Sequence, residues 1–157
     1  MTRPLAATAL AASLICSAAP QGARAQDATC VPSQLASTSY PMLTVKVRVN
    51  GRGPYTFFID TGATVTIVNT ALARRLRLES LPASVQGIGA GGNFSTRASV
   101  ASIDVGGVRE DRVLVATYDL SQINAAVGPL DGGLGYNFLK HYRVTIDYPA
   151  QRVCFGR

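Results

Sequence analysis

The sequence has 157 residues, of which 47% are hydrophobic and 15% are charged, and its formal net charge is +6. This length suits one ordinary domain, and the composition argues against a disordered or collagen-like chain. A single histidine, His141, excludes facial triads, HExxH zinc sites and Cys₂His₂ fingers, which all need two histidines.

Residues 1–25 have the features of a secretory signal peptide. Arg3 supplies a positive start, residues 5–15 form an uncharged apolar run, and Ala23-Arg24-Ala25 fits the small-x-small cleavage rule. The run is shorter than the ~20 apolar residues of a spanning helix, so no stable membrane span is expected after cleavage. A lipoprotein anchored at Cys16 and an uncleaved anchor stay open as alternatives. We therefore predict an exported protein, periplasmic or secreted.

Two cysteines, Cys30 and Cys154, remain after cleavage and lie near opposite ends of the chain. In an exported domain they suggest one disulfide, and two free thiols or a bridge between subunits stay open. Neither has a CxxC spacing, so no redox role is expected.

The rest of the chain is interpreted as an N-terminal segment, residues 26–39, and one domain, residues 40–157. Period-two alternation, β-branched runs and turn clusters predict short strands joined by hairpins. In chain order these strands are residues 44–49, 55–59, 65–68, 94–100, 102–105, 112–115, 143–148 and 152–155. A helix is predicted after the cap residue Asn69, with Leu72 and Leu76 on one face, and a second over residues 138–142. This pattern implies an all-β sandwich or barrel.

Neither a nucleic acid nor a nucleotide is expected as a partner. The basic cluster Arg74-Arg75-Arg77 falls on the predicted helix, where a solvated face explains it. Residues 87–92 match Gly-x-Gly-x-x-Gly literally, but a dinucleotide site needs a helix directly afterwards. Residues 93–100 have no helical periodicity, so the glycines are interpreted as a hairpin tip.

The most informative segment is residues 57–65, where an apolar strand runs directly into a carboxylate. Burial of Asp60 without a partner would be costly. The hydroxyls of Thr61 and Thr64 and a tight turn at Gly62 offer hydrogen-bond donors nearby. We expect Asp60 to be held at a defined place, at the bottom of a cleft or in a turn.

The segment Asp60-Thr61-Gly62-Ala63-Thr64, preceded by apolar residues, resembles the catalytic signature of the retropepsin-like aspartic proteases. Three later stretches resemble that family in the expected order, and the resemblance covers residues 40–155. They are the flap hairpin at residues 86–92, the hydrophobic-glycine segment at residues 130–139, and the C-terminal hairpin of bacterial relatives at residues 142–153. One departure is Gly133, which stands where the family usually has a bulky apolar residue before Leu134.

The resemblance implies a single-lobed acid protease fold, a closed β-barrel with one or two short helices. It implies an aspartic endopeptidase that acts on peptides or proteins without metal or cofactor. Asp60 would be catalytic, supported by Thr61, Gly62, Ala63 and Thr64. The substrate-binding flap residues would be Gly87, Ile88, Gly89 and Ala90. Aspartic proteases need two carboxylates, and a short chain with one signature implies a homodimer.

Two other interpretations of the whole chain stay open. One is a non-catalytic peptide-binding domain with the same fold, and another is a structural envelope protein stapled by its disulfide. Asp131 lacks the hydroxyl support of Asp60 and is interpreted as a turn residue. His141 is interpreted as a solvated helix residue rather than a catalyst. A Ser-His-Asp triad is not supported, because the sequence has no Gly-x-Ser-x-Gly elbow.

Overall fold

Paired strands make up most of the chain in the computed structural model, which describes residues 28–89 and 92–157. The predicted signal peptide, residues 1–25, lies outside the described residues, and so does Ala90 of the predicted flap. The strands are β1 (Thr29–Leu35), β2 (Leu43–Val49), β3 (Arg52–Ile59), β4 (Thr66–Asn69), β5 (Glu79–Gly89), β6 (Gly92–Val105), β7 (Val108–Tyr118), β8 (Gly132–Leu134), β9 (Arg143–Asp147) and β10 (Arg152–Gly156). The helices are α1 (Thr70–Leu76), α2 (Ser121–Val127) and α3 (Tyr136–Leu139).

The strands form one sheet that closes on itself. Their order is β5-β6-β7-β4-β8-β3-β2-β1-β10-β9, and β6 pairs a second time with β2. That extra pairing joins β6, β7, β4, β8, β3 and β2 into a closed circuit. The all-β class and closed arrangement predicted from the sequence are therefore confirmed.

The core lies inside this circuit and follows the predicted alternation. On β2, Val45, Val47 and Val49 are buried while Lys46 and Arg48 between them are exposed. Burial of each such apolar side chain stabilises the fold by about 1.5–3 kcal/mol. Fully buried side chains from other elements complete this core, among them Phe57, Val68, Ile103, Val105, Val115, Leu134 and Phe138.

Helix α1 begins where the sequence predicts it. The Asn69 side chain accepts a hydrogen bond from the backbone N–H of Ala71 at 3.0 Å, which makes it the N-cap. Leu72 and Leu76 are both buried, as expected for one apolar face. None of the helices in the described part of the chain has the length and apolar character needed to cross a membrane.

Several elements differ from the sequence prediction: residues 94–100 and 102–105, predicted as two strands, belong to the single strand β6, and β8 lies where no strand was predicted. Helix α3 covers Tyr136–Leu139 rather than residues 138–142, because Phe138 and Leu139 must turn into the core directly after Gly135. Strand β1 was not predicted, since its alternation places only Val31 and Ser33 inward. Helix α2 was not predicted either, because it has no side-chain cap and buries a single residue.

The two ends of the described chain are held together within one molecule. Residues 29–32 of β1 pair with β10, and residues 33–35 continue along β2. Cys30 lies directly opposite Cys154 in this ladder, and the two form a disulfide. Of the three arrangements that the sequence left open, the structure therefore has the bridge within one chain.

Candidate active site

Strand β8 lies between β3 and β4 and supports the loop that joins them. It runs parallel to β3, with Gly132 opposite Phe57, and antiparallel to β4, with Gly133 opposite Ile67. The backbone N–H of Asp60, the first residue after β3, donates to the carbonyl of Leu134 at 3.0 Å. The loop of residues 60–65, here called the Asp60 loop, is thus fixed at its start by backbone pairing.

The Asp60 loop folds around the carboxylate of Asp60. Asp60 Oδ1 accepts hydrogen bonds from the N–H of Gly62 at 3.0 Å and from that of Ala63 at 3.1 Å. No other hydrogen bond to this carboxylate occurs among the described residues, so Oδ2 is available to another molecule. Both donors are backbone groups of the tight turn predicted at Gly62; Thr61 and Thr64 are exposed and donate no hydrogen bond to Asp60 among the described residues, and their supporting role stays a prediction.

A pair of polar side chains, the buried Thr66 and the half-buried Asn137, fixes the far end of the loop. Asn137 Oδ1 accepts from both the backbone N–H and the hydroxyl of Thr66, at 2.8 and 2.9 Å. Thr66 Oγ1 in turn accepts from Gly135 N–H at 3.1 Å, and Asn137 Nδ2 donates to the carbonyl of Leu114 at 2.7 Å. This pair was not predicted from the sequence. The signal was one polar residue inside each of two apolar runs, because a polar side chain placed there needs a hydrogen-bond partner.

Glycines under the loop make room for aromatic rings. A Cβ at Gly133 would lie 2.6 Å from the nearest ring carbon of Phe58, and one at Gly132 would lie 2.5 Å from the ring of Phe57. Real Cβ atoms essentially never come that close. The departure at Gly133 therefore has a physical reason, since the Phe58 ring occupies the space of the missing side chain.

A cavity of about 550 Å³ opens beside Asp60. Its apolar lining includes Met42, Phe58, Val65, Ile67, Val85 and Ile123. Among the described residues that line it, Asp60 supplies the one carboxylate, and Thr64, Gln86 and Tyr118 supply other polar groups. Apolar walls around a few convergent polar groups are typical of a site that binds an organic ligand.

The hairpin of β5 and β6 contributes Val85, Gln86 and Gly87 to the lining of this cavity. Its strands pair from Ser84 opposite Arg97 to Gly89 opposite Gly92, as the flap prediction requires of the backbone. Gly87 lines the cavity, whereas Ile88 and Gly89 are described only as paired strand residues. The substrate-binding role of the flap residues stays a prediction.

The other candidate residues have structural surroundings. Asp131 Oδ2 accepts from the backbone N–H of Thr56 at 2.9 Å, and the Asp131 N–H donates to the Thr56 carbonyl at 2.8 Å. This carboxylate therefore ties β3 to the segment before β8. His141 is exposed in the turn after α3. Next to it, burial and then the hydrogen bond from Tyr142 to Glu110 raise the pKa of the Tyr142 phenol.

Comparison with known proteins identifies a family and similar solved structures. Residues 45–138 match a family described as aspartyl protease. Among solved structures, the chain is similar to a retropepsin-like aspartic protease from Rickettsia conorii, with a TM-score of 0.53 and 14% identity. That likeness covers 83% of this chain and 92% of the other. No curated protein matches the sequence. The family match runs from β2 to α3 and so contains the Asp60 loop, the β5–β6 hairpin and Asn137.

Proposed function

The chain belongs to the aspartyl protease family and has a retropepsin-like fold, and on this premise we propose that it is an aspartic endopeptidase whose active site forms between two copies of the chain. The observation that carries the proposal is the Asp60 carboxylate at the cavity. Two backbone donors hold its Oδ1, and its Oδ2 is left for a substrate, a water or a second carboxylate.

The second carboxylate comes from a partner copy in this proposal. Aspartic protease chemistry uses two carboxylates about 3 Å apart that share one proton, because like charges so close cannot both ionise. Asp131 already accepts a hydrogen bond from the β3 backbone and is absent from the cavity lining. A two-fold axis would place Asp60 opposite the same residue of a second copy.

The proposed reaction follows from that pair. The ionised Asp60 of one copy takes a proton from a bound water, whose oxygen forms a bond to the carbonyl carbon of the substrate. The protonated Asp60 of the other copy donates a hydrogen bond to the carbonyl oxygen as negative charge develops there. Collapse of the tetrahedral intermediate breaks the C–N bond, and a carboxyl proton passes to the leaving amine.

The surroundings of Asp60 take the roles that the family resemblance implies. Thr61 braces the loop of the other copy, and Gly62 offers backbone contacts to the peptide. The β5–β6 hairpin, with Gly87 at the cavity, covers an extended substrate whose main chain pairs like an added strand. An apolar side chain of the peptide occupies the cavity beside Asp60.

Export is part of the same proposal. Residues 1–25 would direct the chain across a membrane and be removed, which places the domain in the periplasm or outside the cell. The Cys30–Cys154 disulfide supports this location, because such bonds persist in oxidising compartments.

The test is peptide cleavage by the purified protein, compared between the wild type and Asp60→Asn. General acid–base catalysis by one side chain contributes about 10²- to 10⁴-fold, so Asp60→Asn should lose at least about 100-fold in kcat. Asp131→Asn is the matched control, because it makes the same chemical change and keeps an acceptor for Thr56; it should retain cleavage. Equal cleavage by the Asp60→Asn protein would reject Asp60 as the catalytic residue, and no cleavage by a dimeric wild type would reject the enzyme in favour of a binding or structural role.

A further inference from the structure

Several exposed residues lie beside Asp60, and two of them, Gly62 and Thr64, also line the cavity. Thr61, Gly62 and Thr64 are exposed residues of the Asp60 loop. Tyr136 lies next to this loop, because its backbone N–H donates a hydrogen bond to the Ala63 carbonyl at 2.7 Å. The side chain of Tyr136 is 58% exposed. These four residues, Thr61, Gly62, Thr64 and Tyr136, are here called the loop face.

The Tyr136 ring is 58% exposed and belongs to neither of the two hydrophobic clusters of the described residues. Within α3, Phe138 and Leu139 face the core, and Asn137 bonds to Thr66, so the helix is already anchored by its other residues. An exposed tyrosine on a backbone that is fixed by hydrogen bonds loses little conformational entropy on binding. Tyrosines of this kind are enriched among the residues that contribute most to protein–protein interfaces.

The terminal strands are engaged within their own chain. Strand β1 pairs with both β10 and β2, and the Cys30–Cys154 bridge holds β1 to β10 covalently. Exchange of these strands between two copies would require the disulfide to break or to form between chains. A second copy that approaches the intact fold must therefore contact other surfaces.

We propose that the loop face is the surface by which a second copy of this chain docks, with Tyr136 as its aromatic anchor and the terminal strands kept within each copy. This inference depends on the proposed function, because the shared active site is incomplete with one Asp60. A two-fold axis between two Asp60 carboxylates brings the exposed residues that flank them into the contact. Tyr136 is one hydrogen bond away from Ala63, whose own N–H binds the Asp60 carboxylate.

Another exposed tyrosine provides a matched control. Tyr148 has nearly the same exposure as Tyr136, 59%, but it lies in the turn between β9 and β10. That turn forms its own hydrogen bonds, from Gln151 N–H to the Tyr148 carbonyl and from Ala150 N–H to Asp147. Loss of the Tyr148 ring therefore removes the same chemical group at a site outside the loop face.

The test is the dimer dissociation constant of the purified full chain, measured by sedimentation over a range of concentrations. Tyr136→Ser should raise this Kd by roughly tenfold or more, as for an interface hot spot, while Tyr148→Ser leaves it unchanged. Thr64→Arg, a second exposed change, should also raise the Kd, because two like charges would meet near the axis. On a non-reducing gel the wild-type dimer should separate into single chains.

The outcomes separate this inference from the proposed function. If the wild type forms a dimer that cleaves peptides, but neither Tyr136→Ser nor Thr64→Arg changes its Kd, the loop face is wrong and the protease proposal stands. Chains linked by a disulfide on the non-reducing gel would overturn the arrangement of the terminal strands. A wild type that is monomeric at every concentration and cleaves nothing would overturn both.

Discussion

The replacement of Gly133 by alanine should destabilise the protein although it adds one methyl group. The new Cβ would lie 2.6, 2.8 and 2.9 Å from three ring carbons of Phe58, whereas ordinary contacts begin at 3.4 Å. The ring is 5% exposed and packs with Leu120, Val127 and Leu130, and it also lines the cavity beside Asp60, so relief of the clash would press it against these neighbours or push it into the cavity. Overpacking of this kind costs about 1–3 kcal/mol. The lower entropy of the unfolded alanine chain returns only about 0.4–1 kcal/mol, so the net change is a loss.

The assay is urea unfolding, with all variants at the same protein concentration because a dimer is stabilised by mass action. Gly156→Ala is the control, since its Cβ would meet nothing closer than 3.7 Å and its stability should stay the same or rise. Phe58→Leu removes the ring that causes the clash. The double variant Gly133→Ala/Phe58→Leu should therefore lose less than the sum of the two single losses, by about 1 kcal/mol or more.

Two results would refute this reasoning. If Gly133→Ala is as stable as Gly156→Ala, the ring does not fill the space above Gly133. If the losses from Gly133→Ala and Phe58→Leu simply add, the clash lies with another neighbour. In either case the explanation for the departure at Gly133 fails.

The remaining predictions concern the supports of the loop and of the terminal strands. Thr66→Val keeps the shape of the side chain but leaves a buried N–H without its acceptor, so urea unfolding should show a loss of about 1–3 kcal/mol, whereas Thr66→Ser should lose less. Equal stability of these two variants would mean that the hydroxyl is not needed. Cys30→Ala/Cys154→Ala should lower stability by about 4–5 kcal/mol in the chain-entropy model, because the bridge spans 124 residues. If a reductant does not lower the urea midpoint of the wild type, the predicted stabilisation by the disulfide is contradicted.

Local signals predicted the parts of the fold that are built from neighbouring residues. The alternation on β2, the turn before β3 and the Asn69 cap all act within a few residues of one another, so each leaves a readable pattern. The Asp60 loop was predictable for the same reason, because its donors, Gly62 and Ala63, follow it directly.

Long-range contacts were not predictable from those patterns. Thr66 and Asn137 are 71 residues apart in sequence, and nothing local to either one identifies its partner. Strand β1 is stabilised by β10 at the other end of the described chain rather than by an apolar stripe of its own. The packing of the Phe58 ring over Gly133 likewise depends on the parallel pairing of β3 with β8.

The central claim is that each active site contains one Asp60 from each of two chains. Its most direct test is the activity of wild-type protein mixed with inactive Asp60→Asn protein, after the subunits have exchanged fully. In an equal mixture, about one quarter of the sites should contain two intact carboxylates, so activity should fall to about one quarter of that of the same total amount of wild type. Activity of about one half would mean that each chain works alone, which would contradict the shared site.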